Sequence, residues 1–248
     1  MPLNSSRRQA VLPAMALAVA VIGTSHAHAD LDEAPMVGMT ISGGSGWSYW
    51  AGNDDGWVAN PEPGIFEYGG EISWAECDFS WENELEVDPG LGFGLSITNT
   101  QSFTEAFSVV LDVQVPGWSN GTLQGASIGG SVSDTNFDGT ASLTSSQFLM
   151  NTFLDGTSQI ELGGGLDVLV SQIAGTATFG PFITGLSGGS ATIIGPQSTQ
   201  GNLAIQIDFT LSAGDTASFS GGYLVDYVPA PAGLLALNGL ILVRRRRA

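Results

Sequence analysis

The side chains able to do chemistry in this 248-residue chain are carboxylates, hydroxyls, amides, aromatics and one thiol. There are 24 acids against six bases, for a formal net charge of −18. The bases are Arg7, Arg8 and Arg244 to Arg247, and the two histidines are His26 and His28. All the acids fall between Asp30 and Asp226, a stretch with no Lys, Arg or His. Ser-His-Asp and Cys-His chemistry needs a histidine base, a Schiff base needs Lys, and phosphate clamping needs Arg or Lys. None of these can be assembled there, and histidine-ligated transition metals are excluded as well. A surface of this sign repels nucleic acid. Cys77 cannot form an intrachain disulfide alone, and Glu76 and Asp78 beside it disfavour a thiolate. It reads as a small packed residue.

Four patterns of the remaining groups point to specific chemistry. Glu82, Glu84, Glu86 and Asp88 alternate with Trp81, Leu85 and Val87. On a strand, side chains two apart share a face at a spacing of about 6.8 Å. Like charges that close need water or a bridging cation, so the stripe is either a divalent-cation site or a solvated acidic face, the plainer reading. Asp134-Thr135-Asn136-Phe137-Asp138-Gly139 matches the first half of a calcium loop. Asp134, Asn136 and Asp138 would supply oxygens and Gly139 the sharp turn. Ser145 stands where the bidentate Glu belongs, so an Asx turn joining Ser131-Val132 to Ala141-Ser142-Leu143 in a hairpin is the competing reading. Trp47, Tyr49, Trp50, Trp57, Trp74 and Trp81 crowd one region. Exposed rings stack on sugar faces, which makes Trp47, Trp50, Trp57 and Trp74 candidate glycan contacts; core packing is the usual alternative. Finally, two carboxylates suffice for glycoside hydrolysis, but no pair stands out among so many acids, and no enzyme is expected.

The elements that must hold these groups read as strands. Phe107, Val109, Leu111, Val113 and Val115 alternate with polar partners, as do Leu203, Ile205, Ile207, Phe209 and Leu211. Leu91, Phe93, Leu95 and Ile97 give a third run of period two. Turn clusters such as Ser119-Asn120-Gly121 and Ser212-Ala213-Gly214-Asp215 separate the runs. About ten to thirteen short strands predict an all-β domain over residues 30–226, a β-sandwich of jelly-roll type. One short helix is expected over 146–154, where Phe148, Leu149, Thr152 and Phe153 could share a face. Fourteen acids and five of the six Trp lie between Asp30 and Asp88, and the later chain is Gly/Ser/Thr-rich. No linker separates these halves, so one domain is expected.

The two ends read as targeting segments with short helices. Residues 1–29 combine Arg7 and Arg8 with an apolar core from Ala10 to Gly23 and small residues at Ala27 and Ala29. That is a secretory signal peptide cleaved before Asp30. Ser6-Arg7-Arg8 also resembles a twin-arginine start, although Ala10 and Val11 favour ordinary Sec export. Residues 227–248 hold Val228-Pro229-Ala230-Pro231-Ala232, an apolar run from Gly233 to Val243, and Arg244, Arg245, Arg246 and Arg247. As a helix the run reaches about 17 Å, short of a bilayer core of about 30 Å, and the arginines hold its end on the cytoplasmic side. The three-part tail resembles the PEP-CTERM sorting signal recognised by exosortase-type sorting enzymes, with Ala230 replacing the usual Glu. The resemblance implies export, transient tethering to the inner membrane, cleavage near the proline motif, and delivery to the envelope or matrix of an exopolysaccharide-producing bacterium. Asn120-Gly121-Thr122 fits a glycosylation sequon, fortuitous in such a setting.

Together these readings predict an exported, non-catalytic cell-surface or extracellular-matrix protein with a structural or adhesive role. The alternatives are a carbohydrate-binding module for exopolysaccharide and an adhesin stabilised by Ca2+.

Overall fold

A computed structural model describes residues 34–86, 90–114, 122–164, 169–184, 193–195 and 201–227. The signal segment, the sorting tail, Asp88, Trp118 and Asn120 lie outside the described residues. Sixteen strands and one 3-10 turn (Asn53–Asp55) are described, with no α-helix among them. The first sheet contains β1 (Val37–Gly43), β2 (Ser48–Ala51), β7 (Glu105–Gln114), β9 (Ala141–Thr144), β10 (Met150–Leu154), β11 (Thr157–Leu162), β12 (Val170–Ile173) and β15 (Asn202–Leu211). Its main path runs β11-β10-β15-β7-β1-β2, with β9 on β15 and β12 on β9. The second sheet contains β3 (Trp57–Glu62), β4 (Ile65–Ser73), β5 (Cys77–Glu86), β6 (Gly90–Asn99), β8 (Thr122–Ser133), β13 (Thr176–Thr184), β14 (Ile193–Gly195) and β16 (Thr216–Tyr227). It runs β13-β8-β16-β6-β5-β4-β3, with β14 on β8.

The expected all-β sandwich is therefore the architecture. β3 to β6 form a meander, while β7, β8 and β9 alternate between the sheets, as jelly-roll chains do. The count exceeds ten to thirteen because β2, β9, β12 and β14 span only three or four residues, too few for a visible period.

Alternation drives the packing. Phe107, Val109, Leu111 and Val113 of β7 point inward, and β15 opposes them with Leu203, Ile205, Ile207 and Phe209. β5, β6 and β16 contribute Phe79, Leu85, Leu95, Ile97, Phe219 and Tyr223 from the other side. Phe209 stacks on Phe107 at 5.4 Å and meets Phe219 across the sandwich at 4.7 Å. Phe219 in turn meets Phe179 edge-on at 5.9 Å. Cys77 is fully buried in this core, as its small apolar character suggested.

The expected helix over 146–154 is corrected. Met150–Leu154 is strand β10, paired with β15 and β11. Met150, Thr152 and Leu154 point inward at period two. The deciding signal is Asp155-Gly156, whose φ values of 48° and 76° make the left-handed two-residue turn of a hairpin. The expected hairpin from β8 to β9 is corrected as well. These strands belong to different sheets, so residues 134–140 form a crossover at one end of the sandwich.

Asn99 ties that end together. It is fully buried, and its Nδ2 faces the carbonyls of Phe103, Leu211 and Ser212 at 2.9, 3.2 and 3.0 Å. Its Oδ1 accepts from Gln101 N at 3.0 Å. Asn99→Ala strands these buried groups and should cost about 2–3 kcal/mol, read as a lower urea midpoint at unchanged slope.

At the sheet edges the ladders are interrupted. Register shifts fall between Ala59 and Glu62 on β3 and between Phe179 and Phe182 on β13. Pro61 and Pro181, which have no N–H to donate, stand within those breaks.

Candidate functional site

The second sheet sets its acids on one outer face. β5 turns Phe79, Trp81, Asn83 and Leu85 inward, which leaves Glu82, Glu84 and Glu86 exposed. β4 places Glu67 opposite Glu84 and Gly69 opposite Glu82, and Glu71 lies opposite Ser80. Beyond them the face flattens. Gly92 and Gly94 of β6 are paired with Glu84 and Glu82, and β16 continues the rows with Gly222 and Ser220. A shallow groove on this floor is lined by Glu84, Glu86, Gly92, Ser127, Gly222 and Leu224. A polar depression beside it is formed by Glu71, Ser73, Asp78, Ser80, Ser96 and Thr98. Among the described residues, no three acidic, histidine or cysteine side chains are grouped to hold a metal ion. Glu82, Glu84 and Glu86 stand exposed in a row along the strand.

The aromatic set does not form one platform. Trp57 is 46% exposed and lies at the edge of the acidic face, over Gly69, where a Cβ would meet its ring at 2.5 Å. Trp50 is 55% exposed but sits opposite Thr40 on the outer face of the first sheet. Trp47 and Trp74 are half-buried against the core. Tyr49 and Trp74 stack at 4.6 Å with parallel rings, and the series continues through Phe79 to the buried Trp81. The Tyr49 hydroxyl donates to Glu76, and that bond raises the phenol above its ordinary value.

The third group sits on the β8–β9 crossover. Asp134 is nearly buried; its Oδ1 accepts from Asp138 N at 3.1 Å and its Oδ2 from Gly139 N at 2.9 Å. Asn136 Oδ1 accepts from Asp138 N at 2.9 Å, and its Nδ2 donates to Asp138 and to the Ala213 carbonyl. Asp138 is exposed and accepts from Thr140 through both its backbone N–H and its hydroxyl. The Thr140 hydroxyl contact is the main reason its carboxyl titrates below the usual range. This is an Asx-rich turn, built on the pattern expected from the sequence. Phe137 (φ 60°) and Gly139 (φ 82°) take the left-handed region, and the Phe137 ring is 89% exposed.

One member of this group escaped the sequence reading. Asp215, in the turn between β15 and β16, is fully buried. Ser212 donates to its Oδ2, and its Oδ1 has no hydrogen-bond partner. Burial raises its pKa, the Ser212 hydroxyl and the Thr135 backbone offset this, and the charges of Asp138 and Asp134 add to the rise. Ser212-Ala213-Gly214-Asp215 reads locally as a separator, and only the long-range packing reveals the buried carboxylate. Thr135 Oγ1 donates to the Gly214 carbonyl at 2.8 Å, so the two turns are in direct contact.

No protein-family model matches the chain, and no curated protein matches it either.

Proposed function

We propose that this chain is an exported, non-catalytic protein of the cell surface or extracellular matrix, with a structural or adhesive role. The observation that carries the reading is the order of segments. A charged-apolar-small leader precedes the sandwich, and a proline motif, a short apolar run and four arginines follow it. The sandwich between them offers acids with no base or histidine to partner them, which suits a solvated scaffold better than a catalyst. Exosortase-type processing would remove the tail and release the sandwich from the inner membrane.

Expression of the full chain in an exopolysaccharide-producing, exosortase-bearing bacterium tests this reading. The expected product, by mass spectrometry of the envelope and medium, begins at Asp30 and ends near Pro231. Replacing Arg244 to Arg247 by Ser should hold the chain back from that fraction. A full-length chain in the cytoplasm, or a tail retained in every fraction, would overturn the reading.

A second reading, binding of exopolysaccharide, is favoured by Trp57. Its exposed ring lies over Gly69 on the sheet face that carries Glu67, Glu82 and Glu84, and a ring beside carboxylates can grip a sugar by stacking and hydrogen bonds. Trp57→Ala should then weaken retention in gels containing the host polysaccharide by tenfold or so, about 1.4 kcal/mol. Equal retention of variant and parent would remove this reading.

A further inference from the structure

We propose that the sugar polymer taken by the outer face of the second sheet is one with free amines, a cationic amino-sugar polysaccharide. The inference rests on the Trp57 reading above and names the ligand class of that same face. Two observations of different kinds carry it. The first is a track that crosses the strands. Ladder pairing sets Trp57, Gly69, Glu82, Gly94, Ser220 and Gly129 side by side on six neighbouring strands. At about 4.8 Å per strand the row is about 24 Å long. The exposed Trp57 ring stands at one end. Beyond Glu82, glycine and serine keep the floor low, so a flat sugar ring can approach the backbone. The groove lined by Glu84, Gly92, Gly222 and Leu224 opens in the rows beside it.

The second observation is charge. Glu82, Glu84 and Glu86 are exposed on β5, and Glu67 lies opposite Glu84. No Lys, Arg or His stands between Asp30 and Asp226, so nothing within the domain neutralises this face. The carboxylates do not close on one point, since among the described residues no three are grouped to hold a metal ion. They are strung out instead, at about 6.8 Å along the strand. Separated carboxylates are matched by a chain that brings positive charges at intervals. A polymer of uronates or sulfated sugars is repelled by the same face, and a neutral one leaves the carboxylates unmatched. An amino sugar joins both needs in one unit: a ring face for Trp57 and an ammonium that donates to a carboxylate.

Titration of the purified full chain with tetramers of glucosamine, N-acetylglucosamine and galacturonate tests the proposal, with tetralysine as the charge-only control. The titrations are run at about pH 6, where free amines are protonated. In low salt the glucosamine tetramer should bind roughly tenfold tighter than its acetylated twin, the sum of two or three exposed charge pairs. The gap should close toward about 1 M salt, where charges are screened within about 3 Å. Glu82→Gln combined with Glu84→Gln, both exposed changes, should erase most of the gap and leave the acetylated tetramer unaffected. Trp57→Ala should weaken both glucosamine forms several-fold and leave tetralysine unchanged. Equal binding of the two forms would overturn the proposal. So would a gap that survives the double Glu change, or a Trp57-dependent preference for galacturonate. Tetralysine held as tightly as the glucosamine tetramer would overturn it too, and point to a basic peptide. Failure of the underlying reading looks different: neither sugar binds, or Trp57→Ala changes neither, and this inference then falls with it.

Discussion

Phe209→Ala is expected to lower the unfolding free energy by about 3–5 kcal/mol, the cost of removing a buried phenyl ring and leaving a cavity. Phe209 is 2% exposed and is one of the rings through which the two sheets touch. It stacks on Phe107 within its own sheet and meets Phe219 of the other, which leans on Phe179. Removing the middle member unsupports rings on both sides, so collapse around the gap cannot restore the contacts. Domains of this size have about 5–15 kcal/mol in all, so the variant should keep only part of its urea resistance. Phe103→Ala is the comparison. That ring is 48% exposed, and its loss should change stability by less than about 0.5 kcal/mol. A Phe209 variant that matched the Phe103 variant would mean that the sheets do not depend on this ring contact.

The second large effect is alkaline. Burial pushes the Cys77 thiol from 9.0 up to about 12 and the Tyr68 phenol from 10.0 up to about 12. Burial also raises Tyr223, whose hydroxyl donates to Gln124 at 2.9 Å. Each group holds its proton more tightly folded than unfolded. Their contribution is therefore whole below about pH 9 and is lost as pH rises toward the folded values. Urea midpoints should be flat from about pH 7 to about pH 9 and fall steeply by about pH 11. Cys77→Ala should remove the part of the fall that begins first, near the unfolded thiol's value. Native Cys77, fully buried, should resist iodoacetamide and react once urea opens the core. A midpoint that held level to about pH 11 would contradict the packing of these three groups.

Much of the sandwich was legible in the chain, for a physical reason. In the runs of β6, β7 and β15 the inward face is written residue by residue as alternation, a local property. Partner choice is not local. Nothing around Ser131 or Ala141 says that β8 and β9 enter different sheets, so locally the crossover looks like a hairpin. In the 146–154 stretch Phe148, Leu149, Thr152 and Phe153 also fit a helical face, and the stronger signal, the Asp155-Gly156 turn, lies just beyond them. The candidate site divides the same way. The Asp134-Asn136-Asp138 spacing is local and visible. Asp215 joins it only because β15 and β16 bring its turn against the crossover, some 80 residues along the chain. The tryptophans show the converse. Trp50 and Trp57 are close in sequence, yet they end on different sheets because the chain passes from β2 to β3 between them.

The interrupted edges bear on how such a chain behaves when crowded. An unbroken outer strand offers a row of N–H and C=O groups onto which another copy can zip. Here Pro61 and Pro181 fall inside the register breaks of β3 and β13, and β2 is only four residues long. Copies brought together meet short, broken templates on sandwiches that repel one another through their carboxylates. The chain can therefore accumulate densely while its neighbours stay separate bodies, free to be rearranged as salt or divalent ions thin the repulsion, and not seeds for a fibre.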